Sequence, residues 1–242
     1  MGRGLGGGAL RAVLFDMDGV LYDSMPIHAR CWHEAMQHFG LDLPEQEAFL
    51  HEGRTGADTI NIVMQRQWGR AATDEECRAM YAYKSALFNQ QGSAPPMPYA
   101  RELLGRVKAA GLTILIVTGS GQASLLGRLD EHFPGIFHKE LMVTAFDVQH
   151  GKPDPEPYLM GLAKAGAFLN ADHSPLSPGE ALVIENAPLG VRAAVAAGIP
   201  TIAVNTGPIP DQALLDESPT WLFPSMQALY DGWEMVNGER CE

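Results

Sequence analysis

Cysteine is scarce in this chain. The three present, Cys31, Cys77 and Cys241, lack zinc-ligand spacing and leave one over from any disulfide, so free thiols are expected. Long hydrophobic runs are missing as well. None reaches the roughly 18 residues that a membrane span needs. Met1 to Leu10 is glycine-rich without the apolar core of a signal peptide, and it reads as a flexible leader of a cytoplasmic protein. Basic residues are few: 17 Lys and Arg stand against 29 Asp and Glu, a formal net charge of −12. That balance argues against nucleic acid and anionic membranes as partners. It does not exclude a small anionic substrate, because a metal ion and a few basic side chains set the local field. No internal repeat is visible, and nothing in the sequence requires more than a monomer.

What is present supports a sizeable core. At 242 residues, 46% hydrophobic and 19% charged, the chain is long enough for one main domain and an insertion. Apolar runs at 12–15, 112–117, 181–184 and 201–204, with a weaker one at 141–144, read as strands, and helical stretches lie between several of them. Such alternation predicts an α/β fold with a doubly wound parallel sheet. The clearest crossover helices are 100–110 and 187–197, ending near Gly111 and Gly198. Between Ser24 and Pro98 strand signals disappear. Ser24 is a candidate N-cap with Pro26 in the first turn, Ile27, Cys31, Trp32, Ala35, Met36 and Phe39 share one helical face, and Gly40 stops the helix. Further helices are expected at 44–51, 56–68 and 73–90. The proline-rich 93–98 is the return linker. The expected organisation is therefore a core formed by 1–24 and 94–242, with a helical cap at 25–93.

The most informative segment is Ala12-Val-Leu-Phe-Asp16-Met-Asp18-Gly19-Val20. An apolar strand runs into two carboxylates one residue apart, at the edge where open α/β sheets place ligands. Residues i and i+2 of an extended chain share a face, so Asp16 and Asp18 are expected to converge. Two such carboxylates repel, and a divalent cation or a division of labour relieves the conflict. One can attack phosphorus to form an aspartyl-phosphate while the other moves protons. A calcium loop would need further oxygen ligands that Val20-Leu21-Tyr22 does not supply. Thr118, Gly119 and Ser120 follow the 112–117 strand and offer a hydroxyl and backbone N–H groups to phosphoryl oxygens. Lys152, between Gly151 and Pro153, can neutralise both the phosphoryl group and Asp16.

Together with Glu185-Asn186 after the 181–184 strand, these four motifs stand in the order of the haloacid dehalogenase (HAD) phosphohydrolase superfamily, which the chain resembles from about residue 9 to about residue 225. Asp23-Ser24-x-x-x-His28-x-x-x-Trp32 and the helices behind it resemble the β-phosphoglucomutase-like subfamily with its small helical cap. The resemblance implies a Rossmann-like core, Mg²⁺ as cofactor, and Asp16, Asp18, Thr118 and Lys152 as catalytic residues. It makes His28 a hinge histidine that contacts Asp18. Glu185 and Asn186 fall at the metal-binding motif, where the family pattern has an acidic pair. Asn186 keeps a ligating oxygen but loses a charge. The cap loop His51-Glu52-Gly53-Arg54-Thr55-Gly56 is implied to face the site, so Glu52 is expected to reach the metal. Arg54 and Lys84 are the cap cations for a second anionic group.

The Glu52 loop, Tyr81-x-x-Lys84-Ser-x-x-Phe88-Asn89 and the Glu-Asn pair look most like a bacterial HAD-type inorganic pyrophosphatase. β-Phosphoglucomutase and a phosphatase of sugar phosphates or other small phosphoesters are the alternatives. A non-catalytic HAD-fold binding module would lack one of the essential groups, and all four are present.

Overall fold

The computed structural model describes residues 9–92, 94–120 and 128–238. Residues 1–8 of the leader, Ser93 and Cys241 lie outside them. Six strands form one parallel sheet: β1 (Ala12–Phe15), β2 (Thr113–Val117), β3 (Met142–Val143), β4 (Ala181–Glu185), β5 (Thr201–Val204) and β6 (Trp221–Phe223). Their order is β3-β2-β1-β4-β5-β6. β1 pairs on one side with β2, Phe15 opposite Ile116, and on the other with β4, Phe15 opposite Ile184. The strand order therefore reverses beside β1, and the crevice outside its carboxyl end is where such sheets bind ligands.

The strands are buried because both faces are covered. Val13, Phe15, Ile116, Ile184 and Val204 pack with Leu103, Leu104 and Val107 of α5 (Ala100–Ala109) and with Trp233 of the C-terminal helix Met226–Gly238. Ala12, Leu14, Val117 and Val183 pack on the other face with Tyr158, Leu162 and Ala165 of Glu156–Leu169 and with Ala193 and Ala194 of Pro188–Ala196. Alternate residues of β1 thus serve opposite layers, as the pleat requires.

Four helices intervene between β1 and α5: α1 (Met25–His38), α2 (Glu45–Leu50), α3 (Gly56–Trp68) and α4 (Asp74–Gln90). They form the cap around a core of their own, in which Met36, Leu41, Leu43, Ile60, Val63, Met64 and Met80 are buried together. Thr55 caps α3 by accepting from the Asp58 N–H at 3.2 Å, and Thr73 with Glu76 forms a capping box at the start of α4. The expected N-cap of α1 is different. Ser24 stands at the cap position but makes no side-chain cap bond, because its hydroxyl is taken by the active site. Trp221 opens the edge strand β6, and Trp233 is 1% exposed in the core. Cys31 and Cys77 are free thiols, and no helix among the described residues is long and apolar enough to cross a membrane.

Candidate active site

β1 ends at Phe15 and the chain turns at once: Gly19 N–H donates to the Tyr22 carbonyl at 2.8 Å, and Tyr22 N–H to the Met17 carbonyl at 3.0 Å. Gly19 has φ +83, and a Cβ there would come within 2.1 Å of Asn186 Nδ2. Only glycine satisfies both demands. The turn delivers Asp16 and Asp18 into one cleft, as expected, but to different partners.

Asp16 belongs to a buried cluster beneath the cleft. Lys152 Nζ donates to Asp16 Oδ1 at 2.5 Å, to Glu185 Oε1 at 2.6 Å and to the Val117 carbonyl at 3.0 Å. Tyr158 donates its hydroxyl to the same Glu185 Oε1 at 2.9 Å, while Glu185 Oε2 accepts the N–H groups of Asn186 and Ala187 at 2.9 and 3.0 Å. Glu185, put forward as a metal ligand by its motif, is therefore committed behind the lysine, with both oxygens in use and 0% exposure. Burial would depress the Lys152 ammonium, but Asp16 and Glu185 outweigh it and raise its pKa. Burial pushes the Asp16 carboxyl well above the ordinary range, and the charges of Glu185 and Asp18 add to that against the pull of Lys152. One lysine thus does not balance the acids gathered around it.

Asp18 belongs to a chain that runs into the cap. Its Oδ1 accepts from Ser24 Oγ at 2.5 Å and meets His28 Nε2 at 3.2 Å, and Lys84 Nζ lies 2.6 Å from His28 Nδ1. Lysine can only donate, so Nδ1 accepts and Nε2 carries the proton toward Asp18. Burial alone would raise Asp18, but His28 and Ser24 hold its pKa below the usual carboxylate value. Burial, with Lys84 adding to it, lowers His28. Burial also brings Lys84 down to about 8. Lys84 is 2% exposed, with Nζ 5.3 Å from the Trp32 ring and 5.2 Å from the Phe88 ring. It lines the cleft, but its visible partner is His28.

The cap loop closes the other side. Asn186 Nδ2 donates to Glu52 Oε1 at 2.8 Å. Burial pushes the Glu52 carboxyl well above its usual value, the Asn186 hydrogen bond opposing and the nearby acids reinforcing the shift. Glu47 steadies the loop from behind by pairing with Arg66 and with His51 Nε2. Arg54 also lines the cleft, together with Thr118, Gly119 and Ser120, and its Nε is buried without a partner. Thr118 Oγ1 accepts the Ser120 N–H at 2.9 Å, which shapes the phosphoryl loop. The cavity left is about 60 Å³, room for roughly four waters.

Among the described residues no three His, Cys, Asp or Glu side chains are grouped to hold a metal ion. An oxygen cage here must use the amide of Asn186, and its Oδ1 is buried with no hydrogen-bond partner. That orphaned oxygen, on the side chain that meets Glu52, is the type of donor a hard divalent cation takes. Two functional contacts were not foreseen. The Ser24 hydroxyl on Asp18 was hidden behind an equally good capping reading, and Tyr158 is visible only as the tyrosine closing the Lys152 motif.

A sheet whose crevice carries an Asp-x-Asp turn, a threonine loop and a buried lysine is that of a phosphoryl-transfer enzyme. The chain belongs to the haloacid dehalogenase-like hydrolase family, which residues 10–198 match. It is 32% identical over 195 residues to Hexitol phosphatase A of Escherichia coli, covering 81% of this chain and 83% of that protein. It is 27% identical over 201 residues to the Phosphorylated carbohydrates phosphatase of Thermotoga maritima, covering 80% and 84%. Among solved structures, the "Putative beta-phosphoglucomutase from Bacteroides vulgatus" superposes with a TM-score of 0.90 at 55% identity, over 97% of this chain and 91% of that one.

Proposed function

We propose that this phosphohydrolase is Mg²⁺-dependent, works through an aspartyl-phosphate on Asp16, and takes inorganic pyrophosphate as its preferred substrate. The observation that carries the choice of substrate is the contact between Glu52 and Asn186. A cap carboxylate in a phosphate cleft repels the substrate unless a cation is shared between them. Asp16, Asp18, Asn186 and Glu52 would hold Mg²⁺, which when bound screens the charge of phosphoryl oxygens. A small, highly charged substrate suits that arrangement and the small cavity.

Lys152 holds Asp16 through Oδ1, which leaves Oδ2 to attack phosphorus. The bond from phosphorus to the bridging oxygen breaks, and Asp18 gives its proton to the departing phosphate. An anionic substrate beside Asp18 opposes the downward shift that Ser24 and His28 impose, so proton uptake accompanies binding. Water then attacks the phosphorus of the aspartyl-phosphate, Asp18 takes its proton, and the bond to Asp16 breaks to release the second phosphate. The Thr118 hydroxyl and the Gly119 N–H bind the transferring oxygens, while Arg54 and Lys84 hold the leaving group.

A second reading is favoured by the relatives, whose names point to phosphorylated carbohydrates or to β-phosphoglucomutase; none of these carries pyrophosphatase in its name. The deciding experiment is phosphate release from pyrophosphate and from hexitol phosphates, beside conversion of β-glucose 1-phosphate primed with the bisphosphate, with Mg²⁺ and with Asp16→Asn as the blank. Pyrophosphate cleavage exceeding the sugar reactions is expected. Sugar turnover without pyrophosphate cleavage would overturn the substrate assignment.

A further inference from the structure

The tip of the cap loop rests on glycines. A Cβ added to Gly119, in the phosphoryl loop after β2, would come within 2.6 Å of the Gly53 carbonyl oxygen and 3.1 Å of its carbon. A Cβ on Gly151, before the catalytic lysine, would meet Thr55 Cγ2 at 2.7 Å and Thr55 N at 3.3 Å. Gly53 itself faces Lys152, where a Cβ would lie 3.2 Å from Cδ. Two core loops separated in sequence thus lack side chains where one short cap segment touches them. Neither Gly119 nor Gly151 has a positive φ, so alanine is compatible with the backbone at both. What alanine would change is how closely the cap approaches.

We propose that Gly119 and Gly151 are specificity-determining positions: as a side-chain-free seat, they let the Glu52–Thr55 loop descend to backbone contact with the core, which fits the closed cleft to small phosphates and excludes bulky esters. The size preference rests on the reading under Proposed function. The seat itself does not. The Gly53 carbonyl is backbone and cannot rotate aside, so Gly119→Ala must push the loop back by roughly half an ångström to restore ordinary van der Waals contact. The same shift draws Glu52 away from Asn186, from which it now accepts at 2.8 Å. At Gly151 the closest obstacle is one methyl group, and a substitution can remove it. Thr55→Ser deletes Cγ2 and keeps the hydroxyl that caps α3.

The test compares wild type, Gly119→Ala, Gly151→Ala, Thr55→Ser and the Gly151→Ala/Thr55→Ser double variant. For each, kcat/KM is measured on pyrophosphate, glycerol phosphate and a hexitol phosphate, and native-state amide exchange is followed at residues 52–55. Gly119→Ala is expected to lower kcat/KM for the smallest substrate by about tenfold, in line with the sensitivity of catalysis to sub-ångström misplacement, and to lower it less for the largest. Exchange at 52–55 should rise while the sheet amides stay unchanged. Gly151→Ala should shift the ratio in the same direction by about threefold, and Thr55→Ser should restore it, a coupling expected of groups in contact. An unchanged ratio and unchanged exchange in Gly119→Ala, or a Gly151→Ala defect that Thr55→Ser does not relieve, would overturn the proposal. Should wild type ignore pyrophosphate, the substrate assignment fails alone, and the seat is judged from exchange and from the smallest and largest esters that are hydrolysed.

Discussion

The two sides of the cleft are built differently. On the core side, Lys152, Glu185 and Tyr158 are buried and mutually bonded, and every oxygen of Glu185 is engaged. On the cap side and along its seam with the core, Arg54 Nε, His51 Nδ1 and Asn186 Oδ1 are buried without partners. Buried polar atoms are normally satisfied, and a cluster of exceptions marks groups that await something. The core presents a finished charge cluster around Asp16, and the cap presents the unfinished half, with polar atoms left for ligands to satisfy. Chemistry should therefore depend absolutely on the first, whereas affinity, pH response and selectivity should follow the second.

The largest effect tests the finished half. Asp16→Asn keeps the volume but removes the nucleophile, and turnover should fall by about 10⁴-fold or more, as when a member of a catalytic unit is lost. Steady-state phosphate release checks this, and trapping by acid quench of a hydroxylamine-labile phosphoenzyme in wild type but not in the variant identifies the step. Substantial activity in Asp16→Asn would sink the covalent route.

Glu52→Ala tests the unfinished half. It removes the acceptor of the Asn186 amide, and Mg²⁺ affinity should weaken by about 10- to 100-fold, the range seen when groups supporting a metal are removed. Titration calorimetry of the protein with Mg²⁺ reads this directly, and an unchanged affinity would remove Glu52 from the ligand set. Chelation of the metal should abolish turnover in wild type and variant alike, with the variant recovering only at higher Mg²⁺.

The cap chain also predicts a pH response. Lys84 titrates near 8 because burial outweighs the support it receives from Asp18. The ammonium is present below that pH, where it adds positive charge to the cleft and strengthens its hydrogen bond to His28; above it, the charge is lost. kcat/KM should therefore fall on the alkaline side with a midpoint near 8, by about tenfold per unit for loss of a single proton. In Lys84→Met the overall level should drop and that limb disappear. A limb retained in the variant would belong to another group.

The same contrast explains what could be read from the sequence. The core side follows from local pattern: Ala12–Phe15, Thr113–Val117 and Ala181–Glu185 are strands because they are apolar runs covered on both faces, and the motif residues stand directly at their ends. The partners that set the charge of those residues are distant in sequence. Glu185 reads as a ligand until Lys152, 33 residues away, is seen to hold it. Ser24 reads as a cap because a hydroxyl before Pro26 satisfies a helix terminus equally well. β6 is short and half-buried, which leaves Trp221 without the period that identifies a strand. Pyrophosphate as substrate rests on the Glu52 loop, the Tyr81–Asn89 segment and the Glu-Asn pair, whereas the names of the relatives point to carbohydrate phosphates or to β-phosphoglucomutase.

The smallest effect on activity should come from Tyr158→Phe, which probes whether the core cluster is as saturated as it looks. Tyr158 keeps its proton because burial, reinforced by the Glu185 charge, pushes its pKa well above 10, so it is a permanent donor to Glu185. Phenylalanine removes that hydrogen bond but retains the ring, which lies 5.2 Å from Lys152 Nζ. Glu185 Oε1 still accepts from Lys152 at 2.6 Å, and the lysine still reaches Asp16, so kcat should change by no more than a few fold. Stability should fall by about 1.5–3 kcal/mol, the typical worth of a hydrogen bond to a charged group, and thermal or urea unfolding measures it. If kcat instead fell a hundredfold with little loss of stability, the hydroxyl would be orienting the lysine toward the nucleophile, and the division between a finished core and an unfinished cap would have to be redrawn with Tyr158 on the working side.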